Sequence, residues 1–167
     1  MLKKIISGGN KGAERAALDV AVMLHIPHSG WVPKGKTADD VALFTKYQLQ
    51  EMPITGTSKQ IERNVTGSDG SLILARGRLT GLLDLTHRLA LKHKHPALHV
   101  DPNKKSLFQA ALAISDWISQ NNIEVLHVSG AQTSVDPKIY KETKKMLEAV
   151  HKIEQDGDRI YGTDPVD

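Results

Sequence analysis

The sequence contains no cysteine among its 167 residues. Disulfides, thiolate metal sites and cysteine nucleophiles are therefore excluded, while the redox compartment stays open. Aromatic residues are scarce, and Trp31, Trp117, Tyr47, Tyr140, Tyr161, Phe44 and Phe108 are the whole set. None of them interleaves with basic residues as in a base-stacking RNA surface, so nucleic acid is not expected as a partner. No apolar run approaches the roughly 20 residues that span a bilayer. The opening stretch MLKKII stops at Ser7, Gly8 and Gly9, too short for the core of a signal peptide. No membrane association is expected, and the cytoplasm is the default location. The dinucleotide fingerprint G-x-G-x-x-G and the Walker turn are both missing.

What is present is the composition of an ordinary soluble protein, 40% hydrophobic and 25% charged. The length suits one substantial core and is short for two, so a single domain over residues 1–167 is expected, with 156–167 as a loosely ordered polar tail. A net charge of +3 favours anionic ligands without requiring nucleic acid.

Along the chain, apolar runs alternate with helical patterns. Leu2 to Ile6 reads as a strand, and Ala16, Ala17, Val20, Ala21 and Leu24 then recur at helical spacing. IPHSGWVPKG is a short extended piece closed by Pro33 and Gly35, and residues 36–58 carry no clean period. SLILA (71–75), PALHV (96–100) and IEVLHV (123–128) read as further strands. The intervening helices run from Thr80 to about Lys92 and from Ser106 to Gln120, and a final one from about Lys138 to Lys152. Leu82, Leu85 and Leu89 are expected inward on the first of these, and Phe108, Ala111, Leu112, Ser115 and Ile118 on the second. Near-continuous apolar strands alternating with helices predict an α/β, Rossmann-like, doubly wound and mostly parallel sheet of about five strands with helices on both faces. The expected strand order is 3-2-1-4-5, which sets the first strand at the topological switch point.

That position gives meaning to SGGNKGAER. Gly8, Gly9 and Gly12 can adopt positive φ and bring amides close to a ligand, at the start of a helix whose unpaired N–H groups favour an anion. Asn10 sits among them, and Lys11 and Arg15 add two cations against one carboxylate, Glu14. A tight strand-to-helix bend needs glycine for sterics alone, so both readings stand at this point. A second turn offers Arg76, Gly77, Thr80 and Gly81, although Thr80 also suits a simple helix cap. Trp31, Lys34 and Gly35 close the second strand. The indole there could stack on a flat heterocycle and the lysine meet a phosphate, or the pair could be a core tryptophan beside an exposed lysine.

Four ordered segments, IISGGNKGAERAALDVA, HIPHSGWVPKG, ERNVTGSDGSLIL and GRLTG, resemble the putative molybdenum carrier family from about Lys4 to Tyr140. That family is a branch of a Rossmann-like superfamily shared with molybdenum cofactor carrier proteins and lysine-decarboxylase-like phosphoribohydrolases. The resemblance implies a homo-oligomer that binds a phosphorylated small molecule on the first glycine turn, either molybdenum cofactor (molybdopterin) or a nucleotide. No directly coordinated metal is expected, because the pterin dithiolene itself holds the molybdenum. Gly8, Gly9, Gly12 and Arg15 match the family's first turn, while Asn10, Lys11, Ala13 and Glu14 depart from its Gln, Thr, Val and Asp. Leu82 and Leu83 stand where the family has Gly and Thr. Near the last strand His127-Val128-Ser129-Gly130-Ala131-Gln132 replaces Asn-Val-Ala-Gly-Pro-Arg, which keeps Gly130.

The expected function is thus a non-catalytic binding or carrier protein. One alternative is a phosphoribohydrolase-like enzyme in which Glu14 or Asp69 orients water, although the superfamily's Pro-Gly-Gly-x-Gly-Thr-x-x-Glu signature is missing. Another is a scaffold whose ligand site has decayed. His93 and His95 end a lysine-rich helix and suit a solvated C-terminus. His99 and His127 each sit as Leu-His-Val in a buried strand, where a hydrogen-bonded core histidine is expected.

Overall fold

A computed structural model describes residues 1–36 and 40–161. Its elements in chain order are β1 (Lys4–Ser7), α1 (Ala13–Met23), β2 (His28–Ser29), β3 (Trp31–Val32), α2 (Val41–Lys46), β4 (Gln50–Glu51) and α3 (Thr57–Thr66). These are followed by β5 (Gly70–Leu74), α4 (Gly81–Lys92), β6 (Ala97–Val100), α5 (Leu107–Gln120), β7 (Val125–Gly130) and α6 (Ile139–Tyr161).

Five strands form one sheet in the order β2-β1-β7-β5-β6, and every pairing in it is parallel. The doubly wound α/β class is as expected, but the order 3-2-1-4-5 is not. The last strand, rather than the first, sits at the centre, with Ile5 opposite Leu126 on one flank and Leu72 opposite Val128 on the other. Counting the five strands cyclically from β7 restores 3-2-1-4-5, so the sheet is the expected one with its chain ends moved. The handedness of each crossover fixes which face a helix covers. It does not fix which strand fills the middle.

The helices divide accordingly. Leu72, Leu74, Leu126 and Val128 point to one face, where Ala17 and Val20 of α1, Ala110 and Ile114 of α5 and Leu147 of α6 close over them. On the opposite face Ile61 and Val65 of α3 pack with Leu89 and Ala90 of α4. The switch point therefore lies between β7 and β5, whose following helices cover opposite faces, and not beside β1 as expected.

Several local expectations also change. The expected second strand splits. His28–Ser29 joins β1, whereas Trp31–Val32 pairs with Gln50–Glu51 in a separate two-stranded sheet. Residues 36–58 contain α2, capped by the Asp40 carboxylate, which accepts from Leu43 N–H at 3.1 Å. The Asp19 carboxylate of α1 accepts hydroxyls from Tyr47, just past α2, and from Tyr140 of α6, which fixes α2 against the main body. On α5 the buried positions are Ala110, Ala111, Ile114 and Ile118, while Phe108 and Leu112 face solvent. Leu82 is likewise exposed. Helix α6 runs to Tyr161, and residues 162–167 lie outside those described.

Helix α5 begins with a reciprocal capping box, in which Ser106 Oγ accepts from Gln109 N–H and Gln109 Oε1 accepts from Ser106 N–H. Ser106→Ala should lower unfolding free energy by about 1 kcal/mol, read from the urea midpoint. An unchanged midpoint would show the cap to be energetically idle.

Candidate functional site

The carboxyl ends of β1, β5 and β7 meet where three loops converge. At the first turn, Gly9 and Gly12 take φ of +83° and +132°. Gly12 is held against the loop that follows β7: a Cβ there would lie 2.4 Å from Ala131 O, and Ala13 N–H donates to that same carbonyl at 3.1 Å. Thr133 N–H returns a bond to Lys11 O at 2.9 Å. Gly130, at the end of β7, is just as confined, with a Cβ position 2.3 Å from Leu74 O.

Much of the donor set on this turn is already engaged. Asn10 N–H donates to Glu14 Oε2 at 2.8 Å, and Arg15 grips Gly9 O through Nε at 3.1 Å and Nη2 at 2.9 Å. The same Nη2 reaches Asp40 Oδ2 at 3.0 Å. Arg15 thus ties the turn to α2, and the least encumbered cation of the pair is Lys11, which is exposed. A cavity of about 360 Å³ lies over the turn, bordered by Asn10, Lys11, Arg15, Lys36, Asp40, Gln132, Thr133 and Ser134. Lys36 brings a third cation that the sequence hid in its aperiodic stretch.

Beside it, on the β5 side, is a crevice of about 360 Å³ walled by Asn10, Glu14, Thr57, Gln60, Ile61, Thr80, Leu82, Leu83, Thr86, Gly130, Ala131, Gln132 and Val135. Burial of the Glu14 carboxyl pushes its pKa up to about 7, against the lowering pull of the Asn10 amide and of Lys36 and Arg15. A carboxyl poised near neutrality in a cleft marks a functional-site candidate.

The second turn contributes differently. Arg76 is a clamp: it pairs with Asp136, donates to both carboxylate oxygens of Glu142 at 2.6 and 2.7 Å, and reaches Asn103 Oδ1 at 3.0 Å. Gly77 N–H donates to Asp101 Oδ2 at 2.9 Å. Thr80 precedes α4 without a side-chain capping bond, which leaves its hydroxyl on the crevice wall, and nothing crowds Gly81. Arg78 borders a neighbouring cavity with Thr80 and Leu83.

Trp31 stands apart. Its carbonyl accepts from Gln60 Nε2 at 2.7 Å and from Asn64 Nδ2 at 3.0 Å, and Arg63 stacks over its indole at 4.6 Å. It borders a different cavity, with His28 and Lys4. Gly35 N–H donates to Glu51 Oε1 at 2.9 Å, and neither Lys34 nor Gly35 borders the crevice or the cavity over the first turn. Asp69 lies at the opposite end of the sheet, where its carboxylate accepts from Glu124 and Val125 N–H at 3.0 and 2.8 Å. It is thus remote from any chemistry in the crevice.

His127 is buried on the α3 and α4 face with Nδ1 2.9 Å from Ser71 Oγ, and burial pulls its pKa down to about 4. His99 Nε2 lies 2.8 Å from Ala75 O. Among the described residues no group of three or more histidines and carboxylates is placed to hold a metal ion, and no helix is long and apolar enough to cross a membrane.

Gln60, Thr57 and Thr133 escaped sequence reasoning. Gln60 lies in an ordinary helical window and is recognisable only once α3 is seen to cross the carboxyl edge of β1.

A parallel Rossmann-like sheet with its strand order rotated by one, and a glycine turn at its carboxyl edge, defines a circularly permuted α/β ligand-binding architecture. The chain belongs to the circularly permutated YpsA SLOG family, whose model matches residues 5–151. It is also similar to the crystal structure of a putative molybdenum carrier protein from Syntrophus aciditrophicus SB, at 46% identity and a TM-score of 0.84 over 89% of this chain and 94% of that one. Both matches bear out the resemblance read from the sequence. A search of curated proteins finds no match.

Proposed function

We propose that this protein is a non-catalytic carrier that binds a phosphorylated heterocycle across the carboxyl edge of its sheet, with molybdenum cofactor or a nucleotide as cargo. One observation carries this reading. Asn10 and Gln132 border both the cation-rimmed cavity and the crevice, so an anionic group and the ring attached to it have adjoining places. Lys11 and Lys36 attract the phosphate, the hydroxyls of Thr133 and Ser134 offer donors, and the crevice takes the ring between Ile61, Leu82, Leu83 and Val135. Gly8, Gly9 and Gly12 shape the turn, and Arg15 fixes it rather than meeting the ligand. The relative's name supports a carrier role, and the adjoining cavities support a two-part ligand. Within this reading the protein acts as a single domain in the cytoplasm, as a homo-oligomer, with no nucleic acid or membrane partner.

A thermal-shift series with nucleotides and molybdopterin tests the proposal. A midpoint that rises with ligand concentration supports it, and no shift from any phosphorylated ligand rejects it in favour of a decayed site. Lys11→Ala and Lys36→Ala should each weaken nucleotide affinity about tenfold, as expected for a charge-assisted hydrogen bond, and the loss should shrink as salt is raised.

The near-neutral Glu14 favours one further reading, hydrolysis of a nucleotide's N-glycosidic bond with this carboxyl orienting water. Release of free base on incubation with nucleotides, followed by chromatography, would establish it; none at high protein concentration would remove it.

A further inference from the structure

The three cations over the first turn suit an anion, but the crevice beside them has the opposite character. Among the described residues, Glu14 is the one ionisable side chain on its wall, and no lysine, arginine or histidine borders it. An anionic group there would face a carboxylate. The cations that act on Glu14, Lys36 and Arg15, border the cavity over the turn, and Arg15 is itself held by Gly9 and Asp40.

What Glu14 presents there instead is acceptors. Glu14 Oε2 accepts from Asn10 N–H at 2.8 Å, and the Asn10 side chain also bonds this carboxylate. Gln60 Nε2 gives one of its two hydrogens to Trp31 O at 2.7 Å. Gly8 draws both side chains around one point: a Cβ there would lie 3.0 Å from Gln60 Nε2 and 3.1 Å from each Glu14 carboxyl oxygen. An ionised carboxylate accepts up to about four hydrogen bonds, so beyond those from the Asn10 backbone and side chain it keeps capacity for two donors of a ligand.

Resting on the two-part reading above, we infer that Glu14 selects the ring. The crevice takes a planar heterocycle with two adjacent N–H donors, the 2-amino-4-oxopyrimidine edge of a guanine-type base, and disfavours rings that place an acceptor there. The paired oxygens of a carboxylate match a ring N–H and an exocyclic amine lying side by side. Hypoxanthine lacks the amine, and adenine turns an unprotonated ring nitrogen toward the carboxylate. A site built to bond a donor penalises an analogue without it, because its own buried group is left unpaired. Burial of Glu14 has the same sense, since two donors offset the cost of keeping that charge away from water.

Calorimetric titration at pH 8 with guanosine, inosine and adenosine tests the ring independently of any phosphate, and ribose 5-phosphate tests the anion site alone. Guanosine should bind at least tenfold more tightly than either other nucleoside. Glu14→Gln should bring guanosine within about threefold of inosine while leaving ribose 5-phosphate affinity equal or higher, with an unchanged circular dichroism spectrum as the check on folding. Equal binding of guanosine and inosine by the unaltered protein, an unaltered ratio in Glu14→Gln, or no nucleoside binding at all would each overturn the inference. If ribose 5-phosphate fails to bind while guanosine is still selected, the anion half of the proposed function falls and Glu14 keeps its role. If ribose 5-phosphate binds and guanosine is not selected, only the role of Glu14 falls.

Discussion

Replacing Gly12 with alanine is expected to cost the fold about 3 kcal/mol, with no ligand present. Two effects combine. The backbone at φ +132° is a conformation that L side chains rarely adopt. The added methyl would also sit 2.4 Å from Ala131 O and 2.9 Å from both Gln132 Cα and Thr133 N, none of which is the free end of a flexible side chain. Gly81→Ala is the comparison, because its φ of +55° carries strain while nothing lies within reach of its Cβ; a loss of about 1 kcal/mol is expected there. Urea unfolding of the two variants without ligand separates them. A Gly12→Ala protein that unfolds with the parent but no longer binds nucleotide would show that this glycine serves a ligand and not the packing of two loops.

The second large effect is a cancellation. Between pH 5 and 6.5 the stability of the unaltered protein should change much less than either of two opposing groups alone would make it, each contributing a slope of about 1 kcal/mol per pH unit. His127 is held neutral, with its pKa down from 6.5 to about 4, so the unfolded chain binds the extra proton in this window and stability falls as pH falls. Glu14 is raised from 4.5 to about 7, so the folded chain binds the extra proton and stability rises as pH falls. Their signs oppose over the same range. Glu14→Gln should expose the histidine, with unfolding free energy dropping by about 1.5 kcal/mol from pH 6.5 to 5, and His127→Gln should expose an opposite slope of similar size. Flat profiles in both variants, or a steep one in the unaltered protein, would contradict the assignment. Asp19, Asp40 and Asp101 are lowered from an already low value and titrate below this window, whereas His28, lowered by burial, adds a slope of the same sign as that of His127.

The presence of the sheet was legible because buried parallel strands read as continuous apolar runs, as in SLILA and IEVLHV. Its order was not, since helical crossovers dictate a face and a hand without saying that β7 inserts between β1 and β5. The strands β3 and β4 have two residues each, fewer than any period can reveal. Phe108 and Leu112 misled because large apolar residues at helical spacing resemble a core stripe. In fact small Ala110 and Ala111 let α5 approach the sheet, and Ile114 and Ile118 fill the gap.

In the site, the glycines were readable as glycines but not by cause. Gly12 and Gly130 are required where two loops touch, and that contact joins residues far apart in the chain. Arg15 looked like a ligand cation, yet its partners are a carbonyl of its own turn and a carboxylate on α2. Lys36 carried no local signal at all, because only the path of the chain beyond β3 returns it to the first turn.

The rotated strand order bears on how the chain is made. Translation delivers β1 and β2 first and β5 and β6 later, as two narrow ribbons, each with an unsatisfied flank facing the place that β7 will fill. A two-stranded ribbon is barely stable in water, and an open flank invites pairing with another chain. The strand that joins them is made only after both ribbons, followed by the helix that packs on α1 and α5. A ribosome stalled before residue 125 would therefore hold an assembly of halves rather than a smaller protein, and this chain gains little of the protection that early domains enjoy by folding as they emerge.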